Sequence, residues 1–393
     1  MRIGLVLPDL PQYSETFFNY KIKGLVNNGH EVVVFTARNK KPDLECLYKV
    51  RFAPTVRKGN PLAQVFHFAV TIMKLFTTSS NRARKFISLE KTDGKSYTGA
   101  IKSLYLNSHI LSEEIDRLHF GFATSALQRE NVAGSIGAKM SVSFRGFDIN
   151  VFPLKHPGCY ELLWKRVEKV HTISDYLRTK AVKMGLPENT PYLKITPAID
   201  ISRFSFKNDC EKFHDPIRIL TVGRLNWIKD YETAISALGV LKMNGVKFTY
   251  EIIGEGNEME RLKFAAYQTG IWDSVKFSGK VSHEEIAKRM QASDIYLQTS
   301  MQEGFCVSVL EAQATGLICI VSDADGLKEN VVDRVTGFIA ERRNPRDFAA
   351  RISEVISFTE AERMQIAHAA RKRVEEEFSV EKQNQLFNEF FLN

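Results

Sequence analysis

Short apolar runs alternate along this chain with longer stretches in which apolar positions recur at three- and four-residue spacing. The first series predicts strands at Ile3–Leu7, Glu31–Thr36, Arg117–Phe120, Met140–Phe144, Lys169–Ile173 and Tyr192–Ile195. Helices are expected over Glu15–Asn28, Leu162–Glu168 and Asp175–Met184, the first ended by Gly29 and the last by Gly185 and Pro187. Asp200–Pro216 is polar and aperiodic and reads as a linker. A second series follows, with strands at Arg218–Val222, Phe248–Ile253, Val275–Phe277, Asp294–Thr299, Ile318–Val321 and Gly337–Ile339. Its helices are expected over Asp230–Asn244, Asn257–Thr269, His283–Ala292, about Cys306–Thr315, Glu360–Glu377 and Ser379–Phe391. Strand–helix alternation implies parallel sheets, hence an α/β chain of two doubly wound domains, expected at 1–205 and 212–376. Two such domains facing each other leave a cleft, a usual place for a ligand.

Composition narrows this picture. At 393 residues, 44% apolar and 25% charged, the chain fits two globular domains and is not disordered. Cys46, Cys159, Cys210, Cys306 and Cys319 are scattered without CxxC spacing, which argues for a reducing cytoplasm and against a zinc site. MRIGLVLPDL reads as a strand interrupted by Pro8 and Asp9 rather than a signal peptide, and no apolar run is long enough to span a bilayer. The net charge is +8, and the stretch from Arg51 to Tyr105 alone carries ten basic residues against Glu90 and Asp93. Apolar residues interleave with these cations, a pattern that an anionic membrane surface attracts and that a solvated basic helix face shares.

Candidate chemistry gathers at the carboxyl ends of strands, where ligands bind in open α/β sheets. Glu303 and Glu311 lie in EGFCVSVLEA, the first in the turn that opens a helix and the second about two turns in. A helix N-terminus there suits a phosphate, and carboxylates suit a ligand with several hydroxyls. Alone, the pair reads more readily as ordinary surface charge. Gly223 ends a strand in the second series, and Arg224 and Lys229 flank the loop that follows, able to neutralise a diphosphate from two directions. Gly254 and Gly256 form a bare GxG that lacks the remaining dinucleotide-binding signature. Gly279 follows another strand, and its main chain could receive a flat base edge. In the first series His119, Arg145, Gly146 and Asp148 lie at strand ends, with His119 a candidate sugar contact or general acid.

In order and spacing, GRLNWIKD, IIGEG, FSGKVS, EGFCVSVLEA, SDADGLKENV and TGF resemble the retaining, two-Rossmann (GT-B) nucleotide-sugar glycosyltransferases of family four, which include many bacterial cell-surface polysaccharide enzymes. The resemblance covers nearly the whole chain and implies roles. Arg224 and Lys229 would hold the donor diphosphate, Glu303 the sugar hydroxyls and Glu311 the ribose. Backbone N–H groups at Phe305, Cys306 and Val307, after Gly304, would meet sugar or phosphate, and the donor side would also include Gly223, Gly254 and Val281. His119, Glu303, Lys229 and Arg224 are the catalytic candidates. Glu15 and Thr16, in SETFF, would join Arg145 and Asp148 on the acceptor side. Ser174 matches a serine after the last strands of the first domain, and the final helix, 379–393, would cross back onto that domain.

The resemblance further implies hexose transfer from a UDP- or GDP-sugar to a glycan or polyprenyl-linked acceptor. The nucleotide sugar is a substrate; no cofactor, metal or nucleic acid is expected. Departures include a first loop without glycine, Cys306 where many members carry glycine and Arg145 where many carry histidine. A nucleotide-sugar epimerase, a sugar phosphorylase or a non-catalytic membrane-surface module are the competing readings.

Overall fold

The computed structural model describes residues 1–10, 16–37, 47–54, 61–207 and 213–392. The chain forms two compact units, Met1–Ile195 with Gln383–Asn393, and Thr196–Lys382. The division falls before the stretch read as a linker. Residues after Ile195 belong to the second unit because their backbone is bonded into it: Arg371 donates to the Phe204 carbonyl (2.7 Å), and the Lys207 N–H donates to that of Thr315 (3.0 Å).

The first unit contains β1 (Arg2–Val6), β2 (Glu31–Thr36), β3 (Lys49–Phe52), β4 (Arg117–Phe120), β5 (Lys139–Phe144), β6 (Lys169–Thr172) and β7 (Tyr192–Lys194). Among the described residues they form one parallel sheet, ordered β3-β2-β1-β4-β5-β6-β7. The central strands are near-continuous apolar runs because helices cover both faces. β3, which the apolar pattern did not predict, alternates exposed and half-buried residues at the sheet edge. Between β3 and β4 the basic stretch folds into the helices Pro61–Thr78, Ser80–Thr92 and Tyr97–Leu106. One face of the sheet is closed by the helix Val380–Leu392, whose Phe387, Phe390 and Phe391 join Ile3, Leu5, Ile22 and Val34 in the core.

The second unit contains β8 (Ile217–Val222), β9 (Phe248–Ile253), β10 (Val275–Gly279), β11 (Ile295–Gln298), β12 (Ile318–Ser322) and β13 (Phe338–Ala340). These too are all parallel, in the order β10-β9-β8-β11-β12-β13. The order reverses between β8 and β11, so their outgoing loops diverge to opposite sides and leave a crevice at the carboxyl edge. Ile219, Tyr250, Leu297 and Ile320 pack with Leu238 and Phe348 in its core. Phe348 belongs to the helix Pro345–Ser357, which the apolar pattern also left unassigned; its start is marked by Asn344, whose side chain accepts from the Asp347 N–H, and by proline in the first turn. A Thr359–Glu362 capping box opens the helix Glu360–Glu377. Among the described residues no helix is long and apolar enough to cross a membrane.

Candidate functional site

The loop after β8 is held in place by the loop after β9. The Gly223 N–H donates to the Ile253 carbonyl (2.9 Å) and that of Leu225 to the Glu255 carbonyl (2.9 Å). This approach leaves no room for side chains. A Cβ on Gly254 would lie 1.9 Å from the Gly223 carbonyl oxygen, and one on Gly256 would lie 2.0 Å from that of Leu225. Gly254 also has φ +147°, a conformation L-residues avoid. The GxG pair is therefore a packing device between two loops. The Gly279 carbonyl accepts from the Gly254 N–H (2.8 Å), and half-buried Val281 lies two residues beyond it.

From Gly223 the chain passes exposed Arg224, a short turn of helix at Trp227–Lys229, and Asp230 in the left-handed region (φ 49°). This turn is pinned to the end of β11. Thr299 donates to the carbonyls of Lys229 (3.2 Å) and Asp230 (2.8 Å), and the Met301 N–H to that of Ile228 (2.8 Å). The turn delivers the Lys229 ammonium to the Glu303 carboxylate, and the two form an ion pair. Burial pushes the Lys229 ammonium down, but Glu303 and then Cys306 more than reverse this, so the net shift is upward and the lysine stays charged. Both predicted loops thus converge at the β8/β11 reversal.

Glu303 is fixed through its own backbone, whose carbonyl accepts from the Gly326 N–H (3.0 Å). Gly304, Phe305 and Cys306 are buried and lead into the helix Val307–Ala314. Of the three N–H groups expected to meet the donor, that of Cys306 is already engaged. It donates to Asn330 Oδ1 (3.1 Å), while Asn330 Nδ2 donates to the Cys306 carbonyl (2.8 Å). Cys306 is therefore held at both its N–H and its carbonyl, and its thiol is pushed up, chiefly by burial. Two further groups brace the helix start. The Tyr296 hydroxyl donates to the Val222 carbonyl (3.1 Å) and lies 2.8 Å from Ser308 Oγ, which itself donates to the Val222 carbonyl (3.2 Å). Tyr296 and Thr299 lie outside the quoted motifs, and Ser308 and Asn330 lie inside them without an assigned role, since each is a polar residue whose partner is the backbone of a distant loop.

Glu311 lies in this helix, 9% exposed. No described residue donates a hydrogen bond to its carboxylate, and burial alone raises it to about 7. Such a carboxylate is an acceptor waiting for donors.

The first-unit candidates are placed differently. His119 is fully buried, with its ring nitrogens 2.8 Å from Ser141 Oγ and Ser143 Oγ, and it packs edge-on against Phe390 and Phe391. Burial, then the positive charges of Lys21, His171 and Arg145, lowers it well below the usual histidine range. It is a core histidine under the C-terminal helix, so the reading as general acid or sugar contact is set aside. Asp148 is also buried. It accepts from the N–H groups of Ala123 (3.0 Å), Arg145 (3.0 Å) and Gly146 (3.1 Å), which makes it a brace of its own turn rather than an acceptor contact. Arg145 donates to the Gly121 carbonyl (3.1 Å) and stacks on Phe17, 3.9 Å from its ring centre. Ser174 is the buried N-cap of the helix Asp175–Lys183. Thr16 opens the helix Thr16–Asn27, and Glu15 lies outside the described residues.

Residues 202–373 match the family described as glycosyl transferases group 1. The chain is 30% identical over 282 residues to the amylovoran biosynthesis glycosyltransferase AmsK of Erwinia amylovora, covering 70% of this chain and 68% of that one. It is 25% identical over 402 residues to the putative colanic acid biosynthesis glycosyltransferase WcaL of Escherichia coli K12, covering 96% of each. Its fold superposes on Anabaena HepE, solved in complex with UDP-glucose, with a TM-score of 0.72 at 17% identity over 100% of this chain and 99% of that one. Two parallel α/β sheets, with Arg224 and the Lys229–Glu303 pair at the crevice of the second and Glu311 buried in the helix that follows, agree with the sequence relationship, and the chain belongs to the group 1 glycosyl transferases, with the GT-B fold.

Proposed function

We propose that the protein transfers a hexose, with retention, from a nucleotide diphosphate sugar to a hydroxyl of a glycan or lipid-linked acceptor in the synthesis of a bacterial surface polysaccharide, at the cytoplasmic face. The relatives named for amylovoran and colanic acid synthesis support the pathway class. The observation that carries the reading is the convergence of Arg224 and the Lys229–Glu303 pair at one reversal point of one sheet, with Glu311 buried in the helix that leaves it.

In this reading the donor exchanges partners with the protein. The diphosphate takes the Lys229 ammonium and the Arg224 guanidinium, and the sugar hydroxyls take the freed Glu303 carboxylate. The ribose hydroxyls donate to Glu311. As the C1–oxygen bond to the diphosphate breaks, negative charge grows on the leaving oxygen between two cations and a helix N-terminus. The acceptor oxygen bonds C1 on the same face, and its proton passes to the departing phosphate. The two cations neutralise the leaving group, so no metal or cofactor is needed in this scheme. UDP is the first nucleotide to try, with GDP and ADP as alternatives.

Thermal-shift titration with UDP, GDP, ADP and their sugars identifies the donor by mass action. Transfer is then compared with Lys229→Ala and Glu303→Ala, each expected to lose at least about a hundredfold in kcat. Near-normal transfer by both variants would sink the assignment, and an epimerised donor without acceptor would favour a different enzyme class.

A further inference from the structure

The helix Pro61–Thr78 is apolar almost all round. It carries one charged residue, Lys74, and Leu75 is its one fully buried side chain. Its inward side is defined by Gln64 and His67, whose side chains reach the Tyr105 hydroxyl (3.2 and 2.9 Å), and by Phe68, whose ring centre lies 4.9 Å from that of Tyr105 at a tilt of 40°. On the opposite side, at helical spacing, Leu62 is 82% exposed, Val65 65%, Phe66 72% and Met73 63%. A helix this apolar is ordinarily buried, and an exposed stripe of large side chains marks an interaction surface.

The charge around the stripe identifies the occupant. Residues 61–106 hold seven basic residues and two acidic ones, a net of +5. Both acids are consumed internally: Glu90 is buried against Lys95 (2.5 Å) and bonded by Asn131 (2.9 Å), and Asp93 is held by Arg166 (2.9 Å) and Asn131 (2.7 Å). Lys74, Arg84, Lys85, Lys91 and Lys102 are exposed on this helix and the two that follow it. A second copy docked by a twofold axis would bring the same net-positive helices together. An anionic bilayer instead receives the apolar stripe in its headgroup–acyl boundary and the cations at its charged surface.

We infer that the Pro61–Thr78 helix is an interfacial anchor, lying in the plane of an anionic membrane with Leu62, Val65, Phe66 and Met73 inserted. The anchor is independent of the transfer chemistry proposed above, and it would bring the first unit to acceptors carried on lipid.

The test is co-sedimentation with phosphatidylcholine vesicles prepared with and without phosphatidylglycerol. The full chain is compared with Leu62→Ser/Phe66→Ser/Met73→Ser and with Arg84→Gln/Lys85→Gln. Because every altered side chain is exposed, circular dichroism and the thermal shift with nucleotide should match the parent protein. The parent is expected to bind only vesicles containing phosphatidylglycerol, less tightly as salt is raised. The serine variant should lose more than about tenfold in partition, and the glutamine variant several-fold. Equal binding by parent and serine variant, or no preference for phosphatidylglycerol, overturns the anchor. So does a parent dimer that the serine variant dissolves without any vesicle binding. Loss of the nucleotide response in the parent would count against the transferase reading alone.

Discussion

Glu311→Gln separates what the buried carboxylate costs the fold from what it contributes to the donor site. Burial raises Glu311 from the ordinary 4.5 to about 7 with no hydrogen bond from any described residue. Below the ordinary value the carboxyl is protonated in both folded and unfolded chains, and it makes no difference to stability. Between there and about 7 the unfolded chain releases its proton while the folded one keeps it, so folding loses stability as pH rises. Above about 7 both forms are ionised, and the loss has reached its full size. At 1.36 kcal/mol per pH unit, this interval amounts to about 3 kcal/mol. Glutamine keeps the shape and removes the charge. The variant should therefore be about 3 kcal/mol more stable than the parent near pH 8.5, with the gap closing to near zero below about pH 5. Denaturant unfolding of both proteins across this range, followed by tryptophan fluorescence, measures the gap; titrating groups common to both cancel in the difference. A gap that does not vary with pH, or a variant less stable than the parent at high pH, refutes the reasoning. The same substitution should weaken nucleotide binding, because an amide oxygen accepts hydrogen bonds less strongly than a carboxylate.

Lys21 is 1% exposed, and its ammonium lies 4.2 Å from the Phe387 ring centre without a hydrogen-bond partner among the described residues. Burial, then Arg145, lowers it well below 10.5, so the unfolded chain binds the extra proton and stability rises with pH over that window, by up to about 1.4 kcal/mol per unit. Lys21→Met should flatten this slope and raise Tm near neutral pH, read by thermal melts at several pH values. Gly254→Ala must either push the Gly223 carbonyl away or abandon φ +147°, and a loss of about 3 kcal/mol or more is expected in denaturant unfolding, with weaker nucleotide binding in titration calorimetry. Asn330→Ala leaves the Cys306 N–H and carbonyl without their side-chain partner in a buried turn; about 3 kcal/mol is expected from the unfolding midpoint.

The two-sheet architecture was legible because strands covered on both faces, such as β12, read as unbroken apolar runs. Elements without that signature were lost: β3 at an edge, and Pro345–Ser357, whose start signal is one asparagine and one proline. Strand position alone also misplaced chemistry. His119 was expected near a strand's carboxyl end, but the face a strand residue occupies depends on what covers it, and here the cover comes from Phe390 and Phe391. Asp148 reads as a ligand contact in sequence because a carboxylate folding back onto the N–H groups of its own turn looks the same there as one facing outward. Arg224, Lys229, Glu303 and Glu311 could be singled out because strand ends and glycine turns locate a sheet edge; the pairing of Lys229 with Glu303 could not, since it depends on the three-dimensional turn that Thr299 pins.

The return of residues 383–393 to the first unit has a consequence for synthesis. Residues 1–195 leave the ribosome long before Phe387, Phe390 and Phe391, which complete their core. Until residues 383–393 are made, the nascent first unit displays an uncovered apolar face with Lys21, His119 and His171 beneath it, whereas the second unit is contiguous in sequence and needs no later segment. The unit begun first is thus the one completed last, and the synthesis of residues 196–382 is the interval in which a holdase chaperone would find its target.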